Sequence, residues 1–216
     1  MCFFARGRYK EILKIERAGL VRRPVHIHTM LDTFPFYVAV TIHLGSLVTA
    51  LVGIIVVDSF GVLWILRRVN AQSVVRVAQT TQKLIWIGWV MLVLSGSVLL
   101  YMKGSVDSLT KIKLFLVAMI GANGVVLHGI KLAIHKTISD FKDLAPIHKY
   151  RIGLATLVSQ VGWWGAIIIG LTHGHWKHHI EWPASPFPYI FGILGTWILL
   201  AVIGELAFGR KAKKNT

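Results

Sequence analysis

Lys111–His135 reads KIKLFLVAMIGANGVVLHGIKLAIH, and this run decides the fold class. It is long and apolar enough to cross a bilayer, which takes about 20 helical residues. On a helix turning ~100° per residue, Lys113, Ile120, Gly124, His128, Lys131 and His135 fall within roughly 80° of one another. The opposite face is Phe, Leu, Val, Ile and Met. Charge inside a bilayer is costly, so such a stripe faces a bundle interior or a cavity and marks a candidate functional site. The alternative leaves Lys113 and Lys131 snorkelling from the two ends, with only His128 inside.

The rest of the chain has the same character. Of its 216 residues 55% are hydrophobic and 15% charged, against about 25% charged in an average soluble domain. Several apolar runs approach span length, which predicts an all-α, polytopic membrane helix bundle. The net charge of +15 would point to nucleic acid in a soluble protein. Here most Lys and Arg stand at the ends of apolar runs, where they meet lipid headgroups and set topology. No nucleic-acid motif, nucleophile–base arrangement, phosphate loop or zinc-protease signature is present. Cys2 is the single cysteine, which excludes an intrachain disulfide.

Residues 1–34 interleave Phe3, Phe4, Tyr9, Ile12, Leu13 and Ile15 with Arg6, Arg8, Lys10, Lys14 and Arg17. Charges break the segment too early for a secretory signal. It reads as a basic amphipathic helix on the membrane surface, or else as a tail. Residues 35–208 carry five spans. These run from Pro35 to Leu66, Lys83 to Met102, Lys111 to His135, Ile152 to Thr172 and Tyr189 to Phe208. Small-residue stripes, Gly45-x-x-x-Thr49-x-x-x-Gly53 and Gly162-x-x-x-Ala166-x-x-x-Gly170, permit close helix contact. Residues 67–82 read as a polar connection, and 209–216 as a basic tail. Lys and Arg near the spans number 13 on the side of the carboxyl end and 6 on the other. That bias predicts a cytoplasmic carboxyl end.

Depth sorts the polar residues. With span centres near residues 50, 122 and 162, His43 and Lys113 lie roughly 10–13 Å toward the amino-terminal side, and His173 about 16 Å. Asp58 and His128 lie about 9–12 Å toward the other side, where His135 joins them. His43 and His128 are then about 20 Å apart along the normal and cannot grip one haem between them. His43 with Lys113 or His173 is the better pair. A haem between helices takes an axial imidazole, small residues beside the ring and cations for its propionates. His43, Gly45 and Lys113 offer one of each. His43 as a hydrogen-bonded packing residue is the plainer alternative. Asp58 pairs with His128 in a relay, or with Arg67 or Arg68 at the water boundary.

The tract HGHWKHHIEWPASPFPY, residues 173–189, is separate. Pro183, Pro186 and Pro188 predict an irregular loop. His173, His175, His178 and His179 offer imidazoles suited to copper, zinc or nickel; interfacial histidines without a metal are the alternative.

The segments IHLGSLVTALVGIIVVDSFGVL and KIKLFLVAMIGANGVVLHGIKL resemble the CopD/HemJ-like superfamily of bacterial integral membrane proteins, over roughly the first four spans. The resemblance implies a bacterial inner membrane, and either copper handling or haem-dependent oxidation of porphyrinogen. It implies haem b as cofactor, with the paired roles falling on His43 and Lys113 and a further histidine at His128. The basic amino-terminal segment, the fifth span and the His-rich loop depart from the HemJ-like pattern. The expected function is therefore haem b binding in electron transfer or membrane redox chemistry, with membrane lipid and a redox partner or other membrane subunits around it. The rivals are a copper or other transition-metal handling protein and a structural subunit of a membrane complex.

Overall fold

The computed structural model describes residues 34–135, 144–175 and 184–209. These residues form five α-helices and no strand: α1 (Phe34–Ile65), α2 (Ala71–Lys103), α3 (Ser108–His135), α4 (Pro146–His175) and α5 (Phe187–Gly204). A π-helical turn, Glu205–Gly209, continues α5. All five helices are long and apolar enough to cross a membrane. The expected all-α bundle of five apolar helices is the observed one. Contacts divide the chain into residues 1–38 and 39–216, and the polar groups treated below all lie in the second unit.

Local signals set the helix ends. Asn70 caps α2, its side chain accepting from the Ser73 amide at 2.8 Å. Gly104 closes α2 in the left-handed conformation (φ 68°), which glycine adopts without a Cβ penalty. Arg67 ends α1 in the same region (φ 59°). Asp107 caps α3, its Oδ1 accepting from the Thr110 amide at 2.9 Å. Pro146 opens α4 and Pro188 stands in the first turn of α5, where a missing N–H costs nothing.

The start of α2 differs from expectation. Residues 71–82, expected as a polar connection, are helical. Their apolar residues are too sparse for a span but suffice for one packing stripe, and Val74 packs against Trp64 and Leu144. A search for apolar runs overlooks helix that continues past the apolar belt. By the same effect α4 begins at Pro146 rather than Ile152.

The core follows from the stripes. Buried residues of α1 recur at Ala39, Ser46, Ala50, Gly53 and Ile54, a helical spacing that leaves Val48 and Ile55 on the outer face. Ala50, Ile54, Leu92, Ile120 and Trp163 join α1, α2, α3 and α4 in one cluster. Close approach relies on glycine at the α1–α2 seam. A Cβ on Gly88 would lie 2.9 Å from the Ala50 nitrogen and from the Ser46 carbonyl oxygen. A second cluster, Leu109, Ile112, Leu116 and Ala166, receives Ile190 and Ile193 of α5. At its far end α5 is tied to α4, where the Tyr150 hydroxyl donates to the Leu200 carbonyl at 2.6 Å and Arg151 meets Glu205 at 2.6 Å.

Candidate functional site

The antiparallel packing brings His43 of α1 against Ser95 of α2, with Nδ1 3.1 Å from Oγ. The Ser95 hydroxyl donates to its own helix, to the Met91 carbonyl at 2.7 Å. Its hydrogen is therefore engaged, and its lone pair accepts from Nδ1–H. That logic assigns the tautomer in which Nε2 carries the free lone pair. The imidazole lies flat against α2 because residue 96 is glycine; a Cβ there would sit 3.3 Å from His43 Cε1.

Lys113 of α3 reaches the same level. Its ammonium lies beside Gly170 of α4, where a Cβ would be 3.2 Å from Nζ, and it is within electrostatic reach of His43. Four helices thus contribute to one half-buried cluster: His43, Ser95 with Gly96, Lys113 and Gly170. The Lys113 charge acts on His43, with no direct bond between the two side chains. Gly45 is not part of it. Residues two apart on a helix point nearly opposite ways, and Gly45 is exposed, with nothing within 4 Å of its Cβ position. Gly96 takes the place expected for Gly45.

His128 stands elsewhere. Its Nδ1 is 3.3 Å from Gln82 Nε2, in an open groove of about 680 Å³ between α2 and α3, lined by Gln79, Gln82, Lys83, Trp86 and Ile87. Ser95 and Gln82 are thirteen residues apart on α2, so His43 and His128 are separated by about 20 Å along the bundle. The two histidines do not share a ligand.

Asp58 pairs with none of the three partners expected for it. Its Oδ2 accepts from Gln160 Nε2 of α4, and Gln160 Oε1 accepts from Trp164 Nε1 at 3.0 Å. Asn123 makes a further link inside the bundle, its Nδ2 donating to the Ala155 carbonyl at 2.7 Å. Sequence reasoning passes over Gln160 and Asn123, and reads Ser95, in the run Ser95-Gly96-Ser97, only as a small residue for close helix contact. Each of the three is a polar side chain within an otherwise apolar run, which is the available signal.

His178 and His179 lie outside the described residues, as do the side chains of His173, His175, Lys131 and His135. Among the described residues no three of His, Cys, Asp and Glu come together to hold a metal ion. The segments 1–33 and 210–216, expected as a surface helix and a basic tail, also lie outside them.

Fold and polar contacts together define a class: an all-helical, multi-pass chain whose five helices have the length and hydropathy of membrane spans. Comparison with family models, curated proteins and solved structures finds no match.

The donor chemistry at His43 suits an axial haem ligand. Metal-bound imidazoles donate their second ring N–H to an oxygen acceptor, which orients the ring, and Ser95 is placed to accept that bond. Lys113 is the cation at the same level.

Proposed function

We propose that this chain is an integral membrane haem b-binding protein that works in electron transfer or membrane redox chemistry. The observation that carries the reading is the hydrogen-bond chain His43–Ser95–Met91, which puts the ring hydrogen on Nδ1 and leaves the lone pair on Nε2, with the half-buried Lys113 within electrostatic reach. His43 would hold the iron. Ser95 holds the imidazole in the tautomer and orientation that ligation needs. Lys113 would meet a propionate with its charge and so tune the reduction potential. When bound, haem supplies one-electron exchange at iron. The resemblance of α1 and α3 to the CopD/HemJ-like superfamily supports the same pair. The charge bias supports a cytoplasmic carboxyl end, and the resemblance suggests a bacterial inner membrane, with lipid and a redox partner or companion subunits around the chain.

The test is the absorption spectrum of protein purified in mild detergent from haem-replete cells. A Soret band and b-type bands on reduction are expected, lost in His43→Ala and kept in His128→Ala. Colourless wild-type protein overturns the reading. If the colourless protein carries copper or another transition metal, lost when His175, His178 and His179 become Ala, the metal-handling rival replaces it.

A further inference from the structure

The acidic side chains of the described residues fall into two kinds. Asp107 is paired with Lys103 at 3.0 Å, and Glu205 with Arg151 at 2.6 Å. Both pairs are exposed at helix ends. Asp58 is half-buried in α1, seven residues before the helix ends at Ile65, and so about 10 Å inside it. Its partner is the neutral amide of Gln160.

The orientation of that amide can be derived. An indole nitrogen is a donor only, so Trp164 Nε1 must donate, and the atom it meets is Gln160 Oε1. The amide nitrogen then faces Asp58 and donates to Oδ2. Oδ2 is an acceptor in this arrangement and cannot carry a hydrogen toward Gln160. The other oxygen, Oδ1, has no described hydrogen-bond partner.

Among the described side chains of the neighbouring helices none forms an ion pair with Asp58. Where α4 meets Asp58 it presents Gln160 and Trp164. The α1–α2 seam nearby holds Thr81, whose hydroxyl is engaged by the Val77 carbonyl at 2.8 Å, and Ile85. Next along α1 the charged residues are Arg67 and Arg68, beyond the helix end. No charged side chain among the described residues acts on Asp58. His128, the titratable group of α3 on this side whose side chain is described, is turned to Gln82. A carboxylate in such a setting is costly, and the neutral acid, with Oδ2 still accepting from Gln160, is less so.

We propose that Asp58 is a proton-binding site within the apolar span, taking and releasing a proton at Oδ1 while Gln160, oriented by Trp164, holds Oδ2. Binding forms one O–H bond, and release returns the proton to water at the end of the bundle where α1 terminates. Gln160 and Trp164 are positioning residues. The ligand is the proton itself, so the site couples whatever the bundle does to proton uptake. It is independent of any cofactor at His43.

The test uses the whole protein in liposomes and an apolar carbodiimide, which adds to a protonated carboxylic acid in an apolar setting. The acid's O–H adds across one N=C bond and nothing leaves, so the labelled peptide gains the mass of one reagent. Peptide mapping is expected to find the label on Asp58 and not on the ion-paired Asp107 or Glu205, with labelling falling as pH rises. Isotope-edited infrared spectra, compared with those of Asp58→Asn, should show a protonated carboxyl stretch that disappears over the same pH range. Gln160→Leu should move that pH range, because it removes the donor on Oδ2. Asp58 unlabelled at mildly acidic pH, in protein whose helicity is intact, overturns the proposal. So does protection by sodium at constant pH, which would make the site a metal-cation site.

Discussion

His43 on α1 and Ser95 on α2 are joined across the helix seam through Nδ1 and Oγ at 3.1 Å, although fifty-two residues separate them in the chain. The bond exists because Gly96 lets the imidazole lie against α2. One polar side chain is thereby oriented by another inside an otherwise apolar contact.

Removing the acceptor should loosen the ligand without removing it. Ser95→Ala leaves Nδ1–H without its oxygen, and loss of such a partner typically costs 10–100-fold in affinity. The expected result is about a tenfold or greater weakening of haem retention, read by Soret titration with apo-myoglobin as competitor. Unchanged retention would mean that Ser95 plays no orienting part. Gly96→Leu should have a larger effect, because its side chain occupies the space of the imidazole.

The α1–α2 seam predicts a contrast between two glycines. A Cβ at Gly88 meets backbone atoms of Ala50 and Ser46 at 2.9 Å, while Gly45 has open space. Gly88→Ala should destabilise by ~1–3 kcal/mol. Gly45→Ala should be neutral or slightly stabilising, by up to about 1 kcal/mol, through helix propensity. Denaturant titration in detergent micelles, followed by circular dichroism, checks both. Equal effects would refute the assignment of the seam.

Asn123→Leu tests the polar link to α4. The Ala155 carbonyl that it bonds is itself within a helix, so the loss should be modest. Interhelical hydrogen bonds in membranes average about 0.6 kcal/mol and reach about 1.7 kcal/mol. A loss within that range is expected in the same unfolding assay. A markedly larger loss would mean that Asn123 has partners beyond Ala155.

Asp107 predicts an acid dependence. Partial burial works to raise its pKa, but the bonds from Thr110 and the Lys103 ammonium outweigh this and hold it below the ordinary carboxylate value. A group depressed on folding contributes stability above its unfolded pKa and loses it as pH falls through the folded one. Wild-type protein should therefore lose this contribution only in acid, below about pH 4. Asp107→Ala should lose ~0.5–2 kcal/mol of cap at neutral pH and show a shallower acid slope. Melting temperature against pH in detergent reads both. An unchanged slope would remove Asp107 from the account.

Much of this architecture is legible in the chain. Runs such as 111–135 announce spans because apolar length is a one-dimensional property. Depth follows from the helical rise, so the level shared by His43 and Lys113 can be counted, as can the distance from His43 to His128. Azimuth is harder. Gly45 stands two residues from His43 yet on the far side of the helix, an error that the same angular arithmetic could have prevented. The partners of Asp58 and His128 were not legible. Both are glutamines, and a glutamine in a sequence carries no sign of which neighbouring helix it will face. Ser95 is hidden for another reason: a serine in a helix ordinarily bonds its own backbone, as this one does with Met91, and its second bond depends on a helix far away in sequence.

The polar groups gathered around His43, His128, Asp58 and Asn123 share one further property. His43, Asp58, Gln82, Ser95, Lys113, Asn123, His128, Gln160 and Gly170 all belong to α1–α4, while α5 and its π-helical end meet the bundle through Ile190 and Ile193, through the Leu200 carbonyl on Tyr150 and through Glu205 on Arg151. During synthesis every group that makes these contacts has been translated before the last helix leaves the ribosome. A nascent chain stalled after α4 already contains the whole constellation, and nothing made later is needed to complete it.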